Sequence, residues 1–216
     1  MSNITKWFIA VPFAFFVAFV IPALITQDWV WFANEWGAVI YFILTAGMWL
    51  IATSFVDVNK PREVPDVANR LIPLGLILSI PVSIVDRIWG LAKLIPDGLV
   101  ILAVVMSLFA IGLGISARNA LGQMYSPRGA VQEQMHLIRQ GPYQWIRHPL
   151  YLAAILWCIG WPLFLKSLLG SLAALAFIIP ALRIRMNDEE QQLVRVLGED
   201  YKKYQKETWR LLPFIY

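Results

Sequence analysis

The chain has 216 residues, of which 59% are hydrophobic and only 15% charged, with a mean hydropathy of +0.63. Soluble domains are about 45–50% apolar and about 25% charged, so this composition excludes an ordinary soluble domain and points to the membrane. The net charge of +4 does not imply a nucleic-acid partner, because the basic residues lie between apolar runs, where they set topology and meet lipid headgroups.

Six apolar runs follow in chain order, at 7–25, 37–56, 71–85, 97–117, 149–165 and 167–182. Helices of about 17–25 residues cross the hydrocarbon; the third run and the last two are short and are expected to be tilted or partly interfacial. The first run has an apolar core too long for a signal peptide, and Ile21-Pro22-Ala23-Leu24 lacks a small-x-small cleavage site, so it is expected to be retained. The fold expected is an all-α integral membrane protein of five to six transmembrane helices, one membrane domain over 1–216, with 1–117 as N-terminal helices and 118–216 as the chemistry-bearing half. Ten tryptophans suit the membrane–water interface.

Charge placement sets the expected orientation. Lys60, Arg62 and Arg70 lie between the second and third runs, Arg118, Arg128, Arg139 and Arg147 between the fourth and fifth, and Arg183, Arg185, Arg195, Lys202, Lys203, Lys206 and Arg210 follow the sixth. Loop 26–36 has Asp28 and Glu35 with no base, and Lys166 is alone in its loop. The positive-inside rule then puts both termini and loops 57–70 and 118–148 in the cytoplasm, with Arg87 and Lys93 in loop 86–97 as the exception. The expectation is a multi-pass protein of a bacterial inner membrane or the endoplasmic reticulum. In the tail, 187–207 has a helical pattern with Leu193, Val194 and Leu197 as its apolar face, Gly198 as a C-cap, and Tyr201 and Tyr204 on a second short helix. Trp209 and 211–215 form an apolar end that returns to the membrane surface.

Cys158, the one cysteine, sits in an apolar run. A single cysteine excludes an internal disulfide and a cysteine-cluster zinc site and reads as a small buried hydrophobe. Two histidines exclude a histidine-rich metal centre, so no metal is expected.

Polar residues gather in 118–151 and 183–210, which share a side of the membrane on this topology. Gly141-Pro142 is a turn. Pro149 suits the first position of a helix, with His148 as its N-cap; the helix terminus attracts anions, and Arg147 adds a guanidinium able to grip a carboxylate. The blander reading is that Arg147 meets a lipid phosphate and His148 only caps the helix. Arg183, Arg185, Asp188, Glu189 and Glu190 read either as a solvated helix face or as a site where one glutamate turns inward, toward a cationic ligand or Arg147. Arg185 and Glu189 form an i,i+4 pair, which leaves Glu190 less compensated and makes it the inward group.

Arg118-Asn119-Ala120-Leu121-Gly122, Leu137-Ile138-Arg139-Gln140-Gly141-Pro142-Tyr143 and Arg147-His148-Pro149-Leu150-Tyr151-Leu152 resemble the C-terminal signature of the isoprenylcysteine carboxyl methyltransferase family, itself similar to the phospholipid N-methyltransferases. Glu189-Glu190, Leu193, Leu197-Gly198-Glu199-Asp200-Tyr201-Lys202-Lys203-Tyr204 and Leu212-Pro213 resemble its second half, so the likeness covers roughly 118–215. The resemblance implies a membrane methyltransferase using S-adenosylmethionine, in a pocket closed by the cytoplasmic tail. It implies that Gly141, Tyr143, His148, Pro149, Tyr151 and Tyr201 shape the cofactor site, and that Arg147 with Glu190 or Glu189 stands nearest the transfer. The acceptor would be lipophilic or membrane-delivered: a prenylcysteine-type carboxylate, a lipid amine or a small thiol. A carboxylate would be placed by Arg147; a thiol or amine needs a base, for which Glu190 and His148 are the candidates. Ala153 stands where the family usually has glycine, and its methyl narrows the room for a helix or cofactor.

Two other readings compete. Sterol-type NADPH-dependent reductases share a similar arginine-histidine-proline-x-tyrosine end, but typically have asparagine where Leu150 stands. A channel or assembly partner is disfavoured by the scarcity of ionisable groups within the runs.

Overall fold

The structure is a computed structural model and describes residues 66–90, 95–122 and 136–213; the apolar runs at 7–25 and 37–56 lie outside them. Among the described residues the fold is helical, with no strands: α1 Asp66–Trp89, α2 Asp97–Leu121, a 3-10 turn Gly141–Gln144, α3 Pro149–Phe164, α4 Leu168–Leu197 and α5 Glu199–Glu207. α1 packs along α4, α2 along α3, and α3 against α4. Gly98–Leu121 and Leu168–Leu197 are long and apolar enough to cross a membrane, and Pro149–Phe164 is a shorter apolar helix. Ile101, Leu108 and Phe109 of α2 remain more than half exposed, as side chains facing lipid would.

Two elements differ from the sequence reading. The third run extends into a 24-residue helix that already includes Arg70. The sixth run and the first part of the tail are one 30-residue helix, α4, because no helix stop separates Leu182 from the charged stretch. Its apolar part ends at Leu182, and the half from Arg183 onward projects beyond it. The stop comes at Gly198, whose φ of +58° only glycine adopts readily and whose N–H donates to the Val194 carbonyl. Glu199 and Asp200 then open α5, where acidic side chains favour the helix N-terminus.

Small residues let the helices approach closely, as membrane bundles require. A Cβ at Gly160 of α3 would lie 2.4 Å from Ser107 Oγ of α2, and one at Gly170 of α4 would lie 1.9 Å from Ser83 Oγ of α1. Ala153 is buried, and its methyl faces Gly114 of α2, where an added Cβ would sit 3.8 Å away. The Ala153 methyl is thus accommodated against α2 without a close contact.

At the far end of the bundle, Asp86 is 2% exposed rather than reaching for water. Its Oδ2 accepts from the Ser167 hydroxyl (2.7 Å) and the Leu169 N–H (3.2 Å), while Ser167 Oγ accepts from the Gly170 N–H (2.9 Å). α4 is therefore capped twice, by its own serine and by a carboxylate from α1. Cys158, 1% exposed, is the small buried hydrophobe expected; it packs with Ile146, Ala174, Ile178, Leu182, Met186 and Leu211.

Candidate active site

The site forms where the start of α3 meets the charged half of α4. Gly141 turns the chain at φ +57° into the 3-10 turn. Tyr143 is buried, and its carbonyl accepts from the Tyr204 hydroxyl of α5 at 2.6 Å. Pro149 begins α3 with His148 as its N-cap, but the imidazole does not cap the helix. It turns to α4, where Nε2 lies 3.0 Å from Glu190 Oε1.

The anion-binding role expected of this helix end is weakened by its own geometry. Pro149 has no N–H, and the amides of Tyr151 and Leu152 both donate to the His148 carbonyl. The amides of Arg147 and His148 are taken by the C-terminal segment, donating to the carbonyls of Trp209 (2.8 Å) and Arg210 (3.1 Å).

Adjacent residues on a helix point about 100° apart, so Glu189 and Glu190 serve different neighbours. Glu190 Oε1 accepts from Arg147 Nε (3.0 Å), His148 Nε2 (3.0 Å) and Arg210 Nε (3.2 Å), while Oε2 accepts from Gln205 Nε2 (3.3 Å). Arg147 also donates through Nη1 to the carbonyls of Gln205 (2.8 Å) and Thr208. The three ionic side chains are 12–13% exposed. Burial by itself would raise the Glu190 carboxyl; the His148 hydrogen bond, with the charges of His148, Arg210 and Arg147, outweighs it and pulls the group down to about 2. An ionised carboxylate only accepts, so His148 Nε2 carries the hydrogen. Glu190 is thus inward, and its lowered proton affinity makes it a weak base.

Glu189 is more open, at 28% side-chain exposure, and its Oε2 accepts from the Tyr151 hydroxyl at 2.7 Å. His148 Nδ1 lies 3.9 Å from the same oxygen. The Arg185 guanidinium is over the Tyr151 ring, 5.7 Å from its centroid, and His148 stacks on that ring at 5.3 Å. Arg185 and Glu189, paired by their i,i+4 spacing in the sequence, thus both meet Tyr151 of α3. Helical spacing puts Arg185, Asp188, Glu189 and Gln192 on one side of α4. Asp188 Oδ2 and Gln192 Oε1 are buried acceptors with no hydrogen-bond partner among the described residues. Tyr201, 2% exposed, lies in the field of both glutamates; burial first, then those charges, holds its hydroxyl protonated.

Structure thus brings Arg147, His148, Tyr151, Glu189, Glu190 and Tyr201 together, with Gly141 and Tyr143 as support. It adds Arg210, Gln205 and Asn187, whose Oδ1 accepts from Arg210 Nη2 at 2.6 Å. Sequence gave Arg210 only as one of the tail's basic residues; the sole further signal was its place just before Leu211-Leu212-Pro213. No group of three or more metal-ligating side chains occurs among the described residues.

A family model described as isoprenylcysteine carboxyl methyltransferase (ICMT) family matches residues 101–195, from within α2 to the charged half of α4. That stretch of the chain is similar to the isoprenylcysteine carboxyl methyltransferase family. The match starts earlier than the signature read from the sequence and stops before its last part. Protein-S-isoprenylcysteine O-methyltransferase of Homo sapiens is 33% identical over 79 residues, 37% of this chain and 28% of that protein. The protein of the same name from Saccharomyces cerevisiae (strain ATCC 204508 / S288c) is 30% identical over 79 residues, 37% of this chain and 33% of that one. Methanethiol S-methyltransferase of Mycobacterium tuberculosis (strain ATCC 25618 / H37Rv) is 33% identical over 82 residues, 38% of this chain and 30% of that one. The chain thus spans about a third or less of the length of these relatives. The matches fall on the methyltransferase side of the two enzymatic readings.

Proposed function

We propose that this chain is a multi-pass membrane methyltransferase that transfers a methyl group from S-adenosylmethionine to a lipophilic or small acceptor carrying a carboxylate or thiol, at a site facing the cytoplasm. The observation that carries the reading is the meeting of the Arg147-His148-Pro149 corner with Glu189 and Glu190, two motifs about forty residues apart joined by a 3.0 Å ion pair. The relatives' names, one an O-methyltransferase and one an S-methyltransferase, support both acceptor chemistries.

The polar side of α4 suits the donor. Its unpartnered acceptors, Asp188 Oδ2 and Gln192 Oε1, would take an ammonium or ribose hydroxyls, and Glu189 with the Tyr151 ring offers a carboxylate and an aromatic face to a cation. When bound, S-adenosylmethionine supplies an electrophilic methyl on a cationic sulfur. The protein's part is then to position and desolvate. Glu190, Arg147 and Arg210 hold the frame, and Arg147, engaged through Nε and Nη1, would meet an acceptor carboxylate through Nη2. A carboxylate arrives ionised and needs no base. A thiol needs a base, and only the neutral form of His148 could serve, through Nδ1, the ring nitrogen turned away from Glu190.

The test is calorimetric titration of S-adenosylhomocysteine into the purified protein, with Glu189→Gln alongside. Binding weakened about tenfold or more by the substitution, the loss of one charge-assisted contact, supports the reading. No measurable binding by the unmutated protein would sink it.

A further inference from the structure

The C-terminal segment 208–213 lies beyond the stretch 101–195 matched by the family model, yet it bonds to Arg147, His148 and Glu190 of the site's frame. It runs beside the corner that precedes α3, with a parallel bridge between Ile146 and Trp209. The Trp209 N–H donates to the Trp145 carbonyl (3.0 Å), and the Arg147 and His148 amides donate back to the carbonyls of Trp209 and Arg210. These amides precede a proline-led helix, so a neighbouring chain segment must satisfy them. Leu211 anchors the segment in the apolar cluster with Ile146, Leu182 and Met186. Arg210 then reaches α4 twice, through Nε to Glu190 and Nη2 to Asn187.

We propose that residues 208–213 form a strap over the site and that Arg210 is a positioning residue, tying Glu190 and Asn187 of α4 to the backbone strip that orients Arg147 and His148. A helix-start corner and a helix face have no covalent reason to hold a fixed distance; the strap bonds to both. Its guanidinium fork suits two acceptors on successive turns of the facing helix better than a lysine would.

The structural part stands apart from the methyl-transfer reading, and only its kinetic consequence rests on that reading. Hydrogen exchange read by mass spectrometry on the full-length protein in detergent tests the first. Arg210→Ala is expected to speed exchange over 143–150 about tenfold while peptides of α1 and α2 are unchanged; Arg210→Lys gives an intermediate rate, and Asn187→Ala a smaller increase. Methyl transfer then tests the second: Arg210→Ala lowers kcat/KM at least tenfold and Arg210→Lys recovers part of it, which loss of folded protein alone would not produce. Unchanged exchange over 143–150 in Arg210→Ala, or in both other variants should that one not fold, overturns the proposal. So does methyl transfer by the unmutated protein that Arg210→Ala leaves intact. Faster exchange together with no methyl transfer by the unmutated protein upholds the strap and rejects the methyl-transfer reading instead.

Discussion

Replacing Glu190 by glutamine removes the one carboxylate shared by Arg147, His148 and Arg210 while keeping its shape. Two guanidiniums, each about 12–13% exposed, are then left facing a neutral amide. Breaking a buried ion pair by removing one partner costs about 3–5 kcal/mol. The low end applies, because Arg147 retains the carbonyls of Gln205 and Thr208 and Arg210 retains Asn187. The lowered proton affinity of Glu190, which arises from the same contacts, leads to a similar magnitude. A carboxyl held at about 2 instead of its ordinary 4.5 contributes about 3 kcal/mol at neutral pH. Since the folded-state value is the lower one, this stabilisation is fully present above pH 4.5 and is lost as the pH falls toward 2. The groups facing Glu190 are His148, Arg210, Arg147 and Gln205, with Glu189 adjacent in sequence and Tyr201 within its field. Thermal unfolding of Glu190→Gln and the unmutated protein at pH 7 and pH 3 should show a gap on the order of 5 °C or more at pH 7 that narrows at pH 3. A gap of equal size at both pH values would refute the assignment of the charge, and no gap at pH 7 would refute the frame.

Tyr204→Phe deletes a 2.6 Å hydrogen bond to the buried Tyr143 carbonyl and should lower stability by about 1–2 kcal/mol, read by denaturant titration in detergent. Gly160→Ala drives a Cβ toward Ser107 Oγ and should cost about 1–3 kcal/mol; Ser107→Ala in the same chain should restore much of that loss, whereas no rescue would mean that α2 and α3 meet elsewhere. Asp86→Ala leaves the Leu169 amide and the Ser167 hydroxyl without their shared acceptor and should lower thermal stability by about 1–3 kcal/mol, with Asp86→Asn milder because its amide oxygen can still accept.

The double-glutamate motif shows where sequence reasoning ends. Charge counting along α4 singled out Glu190 as the inward residue, and the structure agrees, because a carboxylate without a local partner is drawn to the nearest buried cations. The same counting paired Glu189 with Arg185 but carried no sign of Tyr151, which comes from another helix and meets both, its hydroxyl on Glu189 and its ring under the Arg185 guanidinium. The helix stop at Gly198 and the helix start at Pro149 were likewise legible, since both rest on backbone conformations fixed by single residue types. The fusion of the sixth run with the charged tail was less so, because polarity ends an apolar run without ending a helix.

Composition and periodicity by themselves determined that the chain is apolar, that its described residues are helical, and which polar residues those helix ends bear. The motifs named the residues of the proposed site. Tertiary structure alone decided the different neighbours of Glu189 and Glu190, the placing of Ala153 against α2, the second cap that Asp86 gives α4, and the place of Arg210 in the frame. Each of these depends on contacts between segments tens of residues apart, and local propensity carries no information about which distant donor will satisfy a given acceptor.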